Sequence, residues 1–124
     1  MKIIETKKAP KAIGPYSQAV EVGKTLYISG QTPLDPETMK VLSKDIEGQT
    51  IQVLNNIREI AQEAGYELTD IVKCGVFLSD MNNFKLMNEV YMNFFGSHKP
   101  ARVTVEVSRL PLDALVEIDA ICYK

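Results

Sequence analysis

The sequence predicts an α+β fold, a mixed β-sheet of five to six strands with two helices packed on one face. Three observations predict it. Two segments repeat apolar residues at three- and four-residue spacing. At least four others are short, apolar or alternating, and bounded by turn residues. The elements follow in the order β-β-(β)-α-β-α-β-β, which suits two layers, with the helices covering one sheet face and leaving the other bare.

The first strand runs from Tyr16 to Val22 and the second from Thr25 to Ser29, joined by a Gly23-Lys24 turn. Gly30, Pro33 and Pro36 predict that the second strand stops at an irregular loop. Met39 to Leu42 has the composition of a short strand. From Asp45 to Ala64, Val53, Leu54, Ile57, Ile60, Ala61 and Ala64 form one apolar helical stripe, and Gly65 supplies a stop. Ile71 to Leu78 (IVKCGVFL) reads as a buried strand. Asn83 to Phe95 is a second helix, apolar through Phe84, Met87, Val90, Tyr91, Phe94 and Phe95, with Gly96 ending it.

Arg102 to Arg109 and Leu115 to Tyr123 alternate as strands, and the Leu110–Asp113 turn between them suggests a hairpin. The uncovered sheet face is expected to carry Tyr27, Leu115 and Ile121 among Thr104, Glu106, Glu117 and Asp119. A half-apolar face of that kind suits contact between subunits.

Bulk properties narrow the function. The 124 residues suit a single domain, 1–124, with 45% hydrophobic and 24% charged residues. Fourteen basic against sixteen acidic residues leave a net charge of −2, without the basic surplus that nucleic-acid binding exploits. No apolar run approaches the ~20 residues of a membrane span, and the N-terminus lacks a signal-peptide apolar region, so a cytoplasmic protein is expected. Cys74 and Cys122 lie in strand-like runs and read as buried hydrophobes. The one histidine, His98, lies in the Gly96–Pro100 connection and reads as a solvated loop residue; with no ligand cluster, no metal site is expected.

Two residues stand out chemically. Arg102 opens a strand just after Pro100, and its planar guanidinium suits bidentate carboxylate binding. Glu117, flanked by apolar residues in VEIDAI, has the surroundings that raise a carboxylate's pKa toward that of a general base. The commoner role of each is a solvated strand charge, and whether the two face the same side depends on register. Tyr16, Ser29, Asn88 and Thr104 are neutral polar residues on elements that could converge, and Gly30 could admit a ligand to the backbone.

The segments APKAIGPYSQAV (9–20), YISGQTPLDPETMKV (27–41), DIVKCGVFLSDMNNF (70–84), VYMNFF (90–95), PARVTVEVSRLP (100–111) and VEIDAI (116–121) resemble, in order, the reactive-intermediate deaminase A (RidA, or YjgF) family. The resemblance implies a chorismate-mutase-like α+β fold assembled as a homotrimer, with ligand sites between subunits. It implies that Arg102 binds the substrate carboxylate and that Glu117 positions and activates water. Tyr16, Ser29, Gly30 and Asn88 fall on positions lining the family's pocket, and no cofactor is implied. Thr104 stands where many members carry cysteine, and the Gly96–Lys99 connection looks shorter than in many.

The implied reaction is hydrolysis of 2-iminobutanoate and 2-iminopropanoate to 2-oxo acids and ammonia. A non-catalytic binder of small 2-oxo acids is the alternative. RNA cleavage or translation inhibition, attributed to some relatives, fits the acidic balance less well.

Overall fold

A computed structural model describes residues 1–124. Eight elements follow in order: β1 (Lys2–Ile4), β2 (Ala19–Val22), β3 (Thr25–Gln31), α1 (Ile46–Glu63), β4 (Ile71–Leu78), α2 (Phe84–Phe95), β5 (Ala101–Glu106) and β6 (Val116–Tyr123). The six strands form one mixed sheet in the order β1-β2-β3-β6-β4-β5. All neighbours are antiparallel except β4 and β5, which run parallel. The predicted α+β fold is therefore present, with both helices against one face.

Local chemistry explains the helix ends. Asp45 caps α1, its side chain accepting from the Gly48 amide at 2.7 Å; such a cap contributes about 1 kcal/mol. At the other end the Tyr66 amide bonds the Ala61 carbonyl and the Gly65 amide bonds that of Gln62. This double bond pattern requires a left-handed residue, and Gly65 takes φ +84°. The stripe predicted for α1 is the one buried: Val53, Leu54, Ile57, Ile60 and Ala61 lie in the core with Cys74, Val76 and Leu78 of β4 and Val116, Ile118, Ala120 and Cys122 of β6.

Several expectations are corrected. β5 and β6 form no hairpin, because β4 lies between them. The β4–α2–β5 segment is a crossover unit, and a helix between two strands is what parallel pairing requires. β3 does not stop at Ser29; it continues through Gly30 to Gln31 across an irregularity in its pairing with β6. Met39–Leu42 forms no strand, only an isolated bridge between Leu34 and Val41. β1 adds an edge strand at the N-terminus, where the sequence pattern predicts none.

The bare face also differs from expectation. Paired residues on adjacent strands point the same way. Cys74 and Val76 are buried against the helices and pair with Arg102 and Thr104, so these two face the helix layer, as does Glu106 opposite buried Leu78. Val103 and Val105 take the bare face instead, 48% and 39% exposed. They join Tyr27, Phe77, Glu117, Asp119 and Ile121 there. Leu115 packs against the core rather than the bare face.

Candidate active site

The predicted site residues separate into two groups on opposite faces of the sheet. The first surrounds Arg102 on edge strand β5. Its guanidinium turns under α2, where Nη1 donates to Asn88 Oδ1 at 2.8 Å. The guanidinium carbon lies 4.7 Å from the Tyr91 ring centroid and 5.6 Å from that of Phe84. Asn88 and Tyr91 reach it together because residues three apart share a helix face.

Arg102 is half-buried and has no acidic partner within the chain. The only ion pair, Arg109–Asp113 at 3.1 Å, is exposed and does not involve Arg102. A desolvated cation held only by rings and an amide keeps its charge available to an anion. The guanidinium lines a cleft of about 370 Å³ with Asn88, Tyr91, Met92, Phe95 and His98.

His98 is not the solvated loop residue expected. It is half-buried, with Nε2 2.7 Å from the Ile71 carbonyl oxygen, and so ties the α2–β5 connection to the start of β4. Thr104 lies two residues beyond Arg102 on the same face, its Oγ1 buried without a hydrogen-bond partner. Cys74 is sealed beneath Arg102, and burial raises its thiol pKa to about 11. It is therefore a packing residue at neutral pH rather than a nucleophile.

The second group surrounds Glu117 on the bare face of β6. Its carboxylate lies against Gly30: a methyl group built on Gly30 would come within 2.7 Å of Oε2. The missing side chain makes room for the acid. Glu117 is half-buried, and its pKa is raised, first by lost hydration and second by the like charge of Asp119 two residues on. Asp119 Oδ1 accepts from the Gly75 amide at 2.8 Å.

Ser29 donates to the Ser17 carbonyl at 2.6 Å, fixing the segment that follows Tyr16. Tyr16, 53% exposed, shares a small crevice with Gly30. Gln18 was not singled out from the sequence, yet it braces this region. Its buried side chain accepts from the Thr6 amide and donates to the carbonyls of Thr6, Ala9 and Pro10. Asn56, equally unmarked, donates from α1 to the carbonyls of Thr32 and Leu34, holding the loop after Gly30.

Arg102 and Glu117 do not meet within one chain. One faces the helices and the other the bare side, with β4 between them. Their partners on β4, Cys74 and Phe77, are three residues apart. Strand geometry then separates their Cα atoms by roughly 14 Å. The chain therefore presents two separate candidate groups, a guanidinium with no acid partner and a carboxylate whose pKa is raised.

The chain is similar to several known proteins. A family model described as Endoribonuclease L-PSP matches residues 6–124. A RutC family protein of Pyrococcus horikoshii is 57% identical over 122 residues, 98% of this chain and 97% of that protein. The 2-iminobutanoate/2-iminopropanoate deaminase of Homo sapiens is 44% identical over 123 residues, 99% of this chain and 90% of the relative. The crystal structure of E. coli TdcF with bound serine matches with a TM-score of 0.96 at 43% identity, covering 100% of this chain and 99% of that one. The chain belongs to the reactive-intermediate deaminase A (RidA) family.

Proposed function

We propose that this protein is a cytoplasmic single-domain deaminase that hydrolyses 2-imino acids such as 2-iminobutanoate and 2-iminopropanoate. It acts as a homotrimer in which each site is shared by two subunits. Arg102, Asn88 and Thr104 come from one, and Glu117, Gly30, Ser29 and Tyr16 from its neighbour. The observation that carries this reading is the half-buried guanidinium with no acid partner in its own chain. The deaminase names of mammalian relatives support the reaction. The apolar bare face, with Tyr27, Val103, Val105 and Ile121, supports the assembly.

In this mechanism Arg102 holds the substrate carboxylate through paired N–H donors. Glu117, ionised, accepts a proton from a water molecule as its oxygen bonds to the imine carbon. Glu117 then returns that proton to nitrogen. Glu117 next passes the hydroxyl proton to the amino nitrogen as the carbon–nitrogen bond breaks and the carbonyl forms, and a 2-oxo acid and ammonia leave. Holding water and imine together removes much of the entropic barrier.

The test uses imines generated in situ by an amino-acid oxidase, with semicarbazide trapping what escapes hydrolysis. Wild type is expected to suppress trapping, and Arg102→Ala to lose that activity about 100-fold or more. A wild-type protein that leaves trapping unchanged across small and large imines would refute the deaminase reading.

The serine in the TdcF structure favours one second reading, a non-catalytic receptor for small amino or oxo acids. Glu117→Gln separates the two. In the enzyme it lowers turnover about 100-fold or more while binding survives; in a receptor there is no turnover to lose.

A further inference from the structure

We infer that Tyr91 is the positioning residue of the anion site: its ring face, not its hydroxyl, fixes the Arg102 guanidinium in the geometry that receives a carboxylate. This rests on the proposed role of Arg102 as the substrate's carboxylate anchor. The ring centroid lies 4.7 Å from the guanidinium carbon, well within cation–π range, whereas Phe84 is more distant at 5.6 Å. Asn88 supplies direction by accepting from Nη1, which leaves the remaining N–H groups free.

The hydroxyl behaves differently. Tyr91 is only 7% exposed, and its oxygen is buried with no hydrogen-bond partner, beside the Cys74 thiol but without a regular bond to it. A buried tyrosine ordinarily satisfies that group. Here the polar end is left idle while the ring is in use.

The neutral character of the hold matters. A carboxylate beneath Arg102 would position it equally well but would compete with the ligand for the same donors. A ring face restrains the guanidinium plane and leaves its charge unneutralised. Tyr91 also lies three residues after Asn88 on α2, so one helical turn presents both the director and the platform.

The experiment compares Tyr91→Phe and Tyr91→Leu, reading 2-oxobutanoate binding by calorimetry alongside imine turnover. Tyr91→Leu is expected to bind about tenfold more weakly and to raise KM by a similar factor, with kcat falling less. Tyr91→Phe should bind within about twofold of wild type and melt no lower, since the deleted hydroxyl has no partner to lose.

Loss of binding in Tyr91→Phe equal to that in Tyr91→Leu would assign the effect to the hydroxyl and overturn the inference. So would wild-type binding in a folded Tyr91→Leu. Should Tyr91→Leu fail to fold, Phe84→Leu reads the weaker ring: a two- to threefold loss is expected, about a third of the Tyr91 effect on the scale of such contacts, and a loss exceeding tenfold would place the platform on Phe84 instead.

Arg102→Ala separates the two levels. If it keeps wild-type binding, the anchor reading itself falls. If it loses binding while Tyr91→Leu does not, only the positioning role falls.

Discussion

Arg102 and Glu117 are opposite charges on strands that share one neighbour, yet the fold treats them in opposite ways. Arg102 is enclosed on the helix side by an amide and two rings, all neutral. Glu117 lies on the bare side against a glycine, with another acid on the same strand face. The first setting keeps a charge while freeing it from partners; the second raises the cost of a charge and so favours the proton. Under the proposed mechanism, a group that binds an anion and a group that exchanges a proton need these different surroundings. Putting them on opposite faces keeps them from neutralising each other inside one chain.

The largest effect that could break this comparison comes from mixing subunits. Arg102→Ala and Glu117→Gln are each expected to be nearly inactive alone. Co-refolded in equal amounts, about a quarter of shared sites would carry both intact residues, and activity should return to that fraction of wild type. No recovery in verified mixed oligomers would mean that each site is built within one chain, contrary to the two-face arrangement.

A smaller effect sharpens the Glu117 side. Gly30→Ala places a methyl group 2.7 Å from Oε2, closer than a contact allows. The carboxylate is the far end of a flexible side chain, so it can swing away at little cost to stability while losing its catalytic position. Turnover is expected to fall about tenfold, as misplacement of a catalytic group does, with the melting temperature nearly unchanged. Unaltered turnover would show that the contact with Gly30 is incidental.

The smallest effect is a shift in pH dependence. The raised pKa of Glu117 means that a base there is lost as pH falls through a value above the ordinary glutamate range of about 4.3. Asp119 contributes by like-charge repulsion, so Asp119→Asn should move the acidic limb of the kcat profile to lower pH. The sign for stability follows from the same shift. The folded state holds the Glu117 proton more firmly than the unfolded chain, so its contribution is fully present below the unfolded pKa and lost as pH rises through the folded one. A limb that stays in place, or moves upward, would remove Asp119 from the tuning.

Much of this was legible in the sequence. Helix periodicity located both helices to within a residue or two, and alternation located β6. What failed was pairing. Arg102 and Glu117 lie on strands consecutive in the chain, and that adjacency suggests a hairpin. The competing signal was present: a strand, a helix and another strand from Ile71 to Glu106 spell a crossover, which puts β5 beside β4 and turns Thr104 and Glu106 toward the helices.

Arg102 and Glu117 stand out by residue type and setting, whereas Asn88 and Gly30 gain their weight only from the family resemblance. In the sequence Tyr91 is indistinguishable from a core residue, since ring burial and ring stacking leave the same trace in a helical stripe; its spacing from Asn88 is the available clue. Gln18 and Asn56 left none. Their importance lies in which loop carbonyls come near them, and that is decided by folding together distant parts of the chain.

The two sulfurs offer a consequence of another kind. Cys74 and Cys122 are fully sealed between sheet and helices, with burial raising their thiols to about 11 and about 12, and a hydroxyl occupies the position at Thr104. An alkylating or oxidising reagent therefore meets no accessible thiolate on the folded chain. Its rate of consumption becomes a clock for how often the helix layer lifts from the sheet.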